Sequence, residues 1–164
     1  MLFVVAAALL APGPAAARNA DEPEAPTERV QPMKKPRSAT EWPFGREGDP
    51  RKVKRTIKIH MSDAMRFFPS EVRVKRGDTV RLVLTNSGQL THEIVIGTLD
   101  ELKKRAARMK ENAATQTADA YSAHVAPGTS ARIVWQFTKP GEFYYACLMP
   151  GHFDAGLIGT IVVR

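Results

Sequence analysis

From Val53 onward the chain alternates apolar and polar positions with a period of two. Ile57, Ile59 and Met61 fall on one side of the first run and Lys58 and His60 on the other, the pattern of a strand with one buried face. Similar runs cover Glu71 to Lys75, Thr79 to Thr85, His92 to Ile96, Ala131 to Phe137, Glu142 to Cys147 and Leu157 to Val163. Arg76-Gly77-Asp78, Asn86-Ser87-Gly88, Pro127-Gly128 and Pro140-Gly141 punctuate them with turn chemistry. Seven short strands so spaced predict an all-β Greek-key sandwich or barrel. The period lengthens once, after Thr98, where Leu99, Leu102, Ala106 and Met109 share a helical face and Thr98 and Glu101 are placed for a capping box. The opposite face, Lys103, Lys104, Arg105, Arg108 and Lys110, is expected to be solvated, with a docking role for acidic partners as the sharper alternative.

Before Val53 this patterning is missing. Residues 1–17 are apolar and small, ending in Ala15-Ala16-Ala17, and fit a secretory signal whose basic start is lacking; the run is too short to span a membrane. Arg18 to Lys52 holds six of the twelve prolines with eight basic and seven acidic residues, which predicts a disordered tether. Residues 53–164 are then the single domain. Of the net charge of +7, the tether carries 8 − 7 = +1 and leaves 7 − 1 = +6 on the domain. The cations are scattered over separate strands in an exported chain, which argues against nucleic acid and for acidic proteins or an anionic membrane surface.

The chemistry gathers at the last turn. Phe143, Tyr145 and Cys147 lie on one strand face, so the only cysteine of the chain points to the core at the strand's end, and Pro150-Gly151 turns the backbone so that His152 returns beside it. A second imidazole is available from His92 at a strand start, with His124 competing from what reads as a loop entering a turn; His60 is expected to be exposed. One thiolate and two imidazoles favour copper and support one-electron chemistry. A nucleophilic role for Cys147 lacks a base and an orienting group. Four histidines and one cysteine cannot build the trinuclear cluster of a multicopper oxidase or a two-cysteine binuclear centre, so an enzyme is not expected.

The strand start His92-Glu93-Ile94-Val95, Met65-Arg66-Phe67, Phe143-Tyr144-Tyr145-Ala146-Cys147, and Cys147-x4-His152 enclosing Pro150-Gly151 together resemble the cupredoxins. These blue-copper proteins include azurin and plastocyanin, and the chain looks closer still to the periplasmic copper-resistance cupredoxins. The resemblance covers most of residues 53–164. It implies one copper ion held by His92, Cys147 and His152, with His152 as the electron's exit, and a periplasmic carrier serving redox proteins such as a cytochrome or oxidase. Copper homeostasis without a carrier role is the alternative it also implies.

Three departures from that pattern stand out. Leu157 occupies the place of the axial methionine, and without a donor there the expectation is a three-coordinate site with a raised reduction potential. Met65 and Met149 are the substitute donors available. Glu93 and Leu148 replace the Asn and the Ser or Thr that tie the ligand loops together in azurin and plastocyanin, so the site is expected to be held differently, its colour moved from blue towards green.

Overall fold

The structure, a computed structural model, describes residues 40–112 and 119–164. The signal expected over 1–17 and the tether up to residue 39 lie outside the described residues. Among the described residues eleven strands form two sheets, and they include all seven runs expected from the period-two pattern. The first sheet contains β1 (Glu41–Trp42), β2 (Gly45–Glu47), β3 (Val53–Ser62), β4 (Arg66–Phe68), β6 (Thr79–Asn86) and β9 (Ser130–Gln136), in the order β1-β2-β9-β6-β3-β4. The second runs β5-β11-β10-β7-β8, built from β5 (Glu71–Val74), β7 (His92–Gly97), β8 (Ser122–Val125), β10 (Gly141–Ala146) and β11 (Ile158–Val163). The pairs β3 with β6 and β5 with β11 are parallel, each within one sheet, because the chain crosses to the other sheet between their members, as in a Greek-key sandwich.

The inner faces meet in one core containing Ile57, Ile59, Met61, Leu82, Leu84, Ile94, Ile96, Ile133, Trp135, Phe143, Tyr145 and Cys147. Strand β7 is buried at all six positions because its outer face is also covered. That cover is α1 (Leu99–Glu111), whose Leu102, Ala106 and Met109 pack on Val95, Ala146 and Leu148. The capping box forms as expected, with the Thr98 hydroxyl accepting from the Glu101 N–H and the Glu101 carboxylate accepting from the Thr98 N–H. Gly159 is a steric requirement: a Cβ there would lie 2.2 Å from Cζ of Tyr145, which is paired with it across β10 and β11.

Residues 40–52, expected in the tether, belong to the folded body. Strand β2 adds to the edge of β9 through Arg46 and Glu47, and Phe44 is 2 % exposed, stacked on Trp135 at 5.4 Å between centroids. The Trp135 indole N–H donates to the Phe44 carbonyl at 2.8 Å, satisfying a donor that burial would otherwise strand. Strands this short have no readable period, and the prolines on either side mask them. Phe44→Ala is expected to cost about 3–5 kcal/mol of stability by urea unfolding; a loss below about 0.5 kcal/mol would show that this arm contributes nothing to the core.

Candidate metal centre

Strand β10 leaves the sheet at Ala146, and Cys147 follows on the core-facing side shared by Phe143 and Tyr145, fully buried. Its backbone N–H donates to the Leu157 carbonyl at 3.0 Å, the Leu157 N–H donates back to the His152 carbonyl at 3.1 Å, and the His152 N–H donates to the Met149 carbonyl at 3.0 Å. These bonds close the turn through Pro150-Gly151, where Gly151 takes a φ of 83° that a side chain would oppose. The turn brings His152 Nδ1 to 3.3 Å from Cys147 Sγ. His92 enters from the first residue of β7, fully buried, its ring centroid 5.0 Å from that of His152.

One donor atom from each of His92, Cys147 and His152 lies within 4.8 Å of the others. His92 Nδ1 is a buried ring nitrogen with no hydrogen-bond partner, while the other nitrogen of the ring, Nε2, is 3.2 Å from Asp63 Oδ1. A buried imidazole nitrogen without a hydrogen-bond partner, on a ring that clusters with a thiol and a second imidazole, fits a metal ion. Burial holds the metal-free Cys147 thiol up at about 11, against backbone N–H groups of Glu93 and Met149 that favour the thiolate. The Glu93 N–H donates to Sγ at 3.3 Å. His152 is half-buried and its pKa is lowered, first by burial and then by the neighbouring His92. A cation bound here must displace the thiol proton, whereas the lowered pKa of His152 leaves its imidazole the more readily available as a neutral donor.

Glu93 departs furthest from expectation. Its side chain is 0 % exposed, with the Arg105 guanidinium at 3.9 Å and His124 Nε2 at 3.6 Å as its nearest basic neighbours. Burial raises its pKa, opposed by His124, Arg105 and the Leu148 N–H. Arg105 therefore does not belong to the solvated face of α1; it turns inward to Glu93 and to Asp119, whose carboxylate lies 2.8 Å away. His124 stands on a strand rather than a loop, paired with Glu93 across β7 and β8, and outside the three-residue cluster. His60 is exposed on β3. Leu157 is fully buried and its backbone bridges both ends of the ligand turn; Met65 and Met149 are half-buried against the same core. Sequence reasoning passed over Asp63, which has no motif of its own.

The profile of the family described as copper binding proteins, plastocyanin/azurin family, matches residues 53–164. The chain belongs to that family, the cupredoxins. Its metal is copper, and the three-residue cluster suits a single ion. The cupredoxin is 51 % identical over 122 residues to the copper-resistant cuproprotein CopI of Rubrivivax gelatinosus, covering 74 % of each chain. It is 31 % identical over 150 residues to CopI of Pseudomonas aeruginosa, covering 74 % of this chain and 82 % of that one. Among solved structures, auracyanin B superposes with a TM-score of 0.63 over 73 % of this cupredoxin and 96 % of that chain, at 20 % identity, a likeness of fold.

The raised thiol pKa gives a test on the metal-free cupredoxin. At neutral pH, alkylation of Cys147 by iodoacetamide is expected to be at least about 100-fold slower in the native protein than in the urea-unfolded chain, rising about tenfold per pH unit towards 11. The sign carries over to stability. A thiol raised in the folded state holds its proton there, so the copper-free fold loses stability as pH climbs from the unfolded value near 9 through 11. Equal alkylation rates in the two states would contradict the buried thiol.

Proposed function

We propose that His92, Cys147 and His152 are the equatorial ligands of one type 1 copper ion, and that the protein is a periplasmic one-electron carrier with no substrate chemistry of its own. The observation that carries this is the clustering of His92, Cys147 and His152, with His92 Nδ1 buried and without a hydrogen-bond partner. Copper supplies a Cu(I)/Cu(II) couple when bound. The chain's part is to hold its donors still: Cys147 gives up its thiol proton on binding, and the Glu93 and Met149 N–H groups support the sulfur's charge. The two ligand segments are fastened to β7, β10 and β11, so the donors need move little between oxidation states. His152 is the half-buried member of the set and the natural exit for an electron, whereas His92 and Cys147 are sealed.

The partners proposed are periplasmic redox proteins, a cytochrome or an oxidase, with acidic surfaces that complement the basic domain. Among the described residues no helix is long and apolar enough to cross a membrane. A second reading is favoured by one finding, the 51 % identity to a protein named for copper resistance: the protein sequesters or delivers copper during excess. Fast self-exchange and reduction by a periplasmic cytochrome support the carrier; copper sensitivity on deletion with slow exchange supports the second.

Four variants test the ligand set and its tuning. Cys147→Ser and His92→Ala are expected to lose the intense thiolate-to-copper band of the Cu(II) protein, and His124→Ala to keep it; the opposite result for the two histidines would transfer the second imidazole to His124. Leu157→Met adds a weak donor that favours Cu(II), so voltammetry should give a lower reduction potential than wild type. An unchanged or higher potential would contradict an axial position without a donor.

A further inference from the structure

Asp63 sits in the turn between β3 and β4, outside every motif, yet three groups of the first ligand segment converge on its carboxylate. Oδ2 accepts the Gln89 backbone N–H at 2.7 Å, Oδ1 accepts the Leu90 N–H at 3.2 Å, and His92 Nε2 lies 3.2 Å from Oδ1. Gly88 is pressed onto the same group: a Cβ there would lie 2.1 Å from Oδ1 and 2.9 Å from the Asp63 nitrogen. The segment from Gly88 to His92 is wrapped around one side chain, and only glycine permits that approach.

We infer that Asp63 is the positioning residue of the first imidazole: it fixes His92 in the tautomer protonated at Nε2 and so makes Nδ1 the donor atom. The inference rests on His92 being a copper ligand. Its chemistry follows from the partners. An ionised carboxylate only accepts hydrogen bonds, so the ring nitrogen facing it must carry the hydrogen, and the other nitrogen must then present its lone pair. That other nitrogen is the buried, unpartnered Nδ1. With Asp63 removed, His92 is free to place a proton on Nδ1, which metal would have to displace, and the ring loses the contact that sets its plane.

The charge has a second consequence. A carboxylate bonded to a ligand's far side makes that imidazole a better donor and favours Cu(II) over Cu(I), lowering the potential. This opposes the rise expected from Leu157. Asp63 keeps 36 % of its side chain in water, which screens the charge but does not weaken the tautomer choice, a matter of geometry.

The test uses the full chain in two states. In the metal-free protein, above neutral pH, nitrogen-15 shifts of the histidine rings should show His92 protonated at Nε2 in wild type. Asp63→Ala should give a mixture of tautomers, as should Gly88→Ala, which displaces the carboxylate without removing it. Asp63→Asn, which keeps an acceptor, should retain the tautomer. With copper, Asp63→Ala should bind Cu(II) about 10- to 100-fold more weakly, and Asp63→Asn should raise the potential. An Nδ1-protonated His92 in wild type, or an unchanged tautomer and affinity in Asp63→Ala, would overturn the inference. The nitrogen shifts are read without metal, so they judge Asp63 independently; a copper band that survives His92→Ala would instead strike the ligand assignment.

Discussion

The structure turns on a thiol placed where water cannot reach it. Cys147 lies at the point where β10 leaves its sheet, its N–H held by Leu157 and its sulfur approached by the N–H groups of Glu93 and Met149. Those donors prepare for a negative sulfur, but burial keeps the proton on it at about 11. The conflict is resolved by a cation with a taste for thiolate and imidazole. The rest of the fold can be understood as support: β7 delivers His92, the Pro150-Gly151 turn delivers His152, and α1 seals the outer face of the strands that carry them.

Behind the ligands lies a second layer of charge. Glu93 follows His92 in β7 and is buried between two basic side chains, Arg105 of α1 and His124 of β8. It binds the helix to the strand that presents the first imidazole. Asp63 holds the same imidazole from the opposite direction, through the β3–β4 turn. One carboxyl group thus lies against the His92 ring, and another follows it in the same strand. Glu93 stands where an asparagine serves in azurin and plastocyanin, so its buried carboxyl group marks where this member diverges.

Much of this was legible in the chain, for reasons that differ by element. The period-two runs of β3, β6 and β9 betray themselves because each has one wet and one dry face, and the capping box announces α1. Cys147 and His152 are readable because a single short turn delivers both. The arm of β1 and β2 escaped because two- and three-residue strands have no period, and only the burial of Phe44 on Trp135 declares them folded. His124 looked like loop because Pro127-Gly128 follows a strand of four residues. Arg105 repeats the helical spacing of its solvated neighbours, and only the position of Glu93 one strand away turns it inward. Asp63 acts across 29 positions of sequence, a relation that no local pattern records.

The central claim is that one copper ion takes two imidazole nitrogens and one thiolate sulfur, with the axial slot left without a strong donor by Leu157. X-ray absorption at the copper edge of the fully loaded Cu(I) and Cu(II) protein reads that coordination directly. The account predicts two nitrogens and a single short sulfur in both states, with distances that change little between them. A second sulfur, which would bring in Met65 or Met149, or a shell without sulfur, would contradict it.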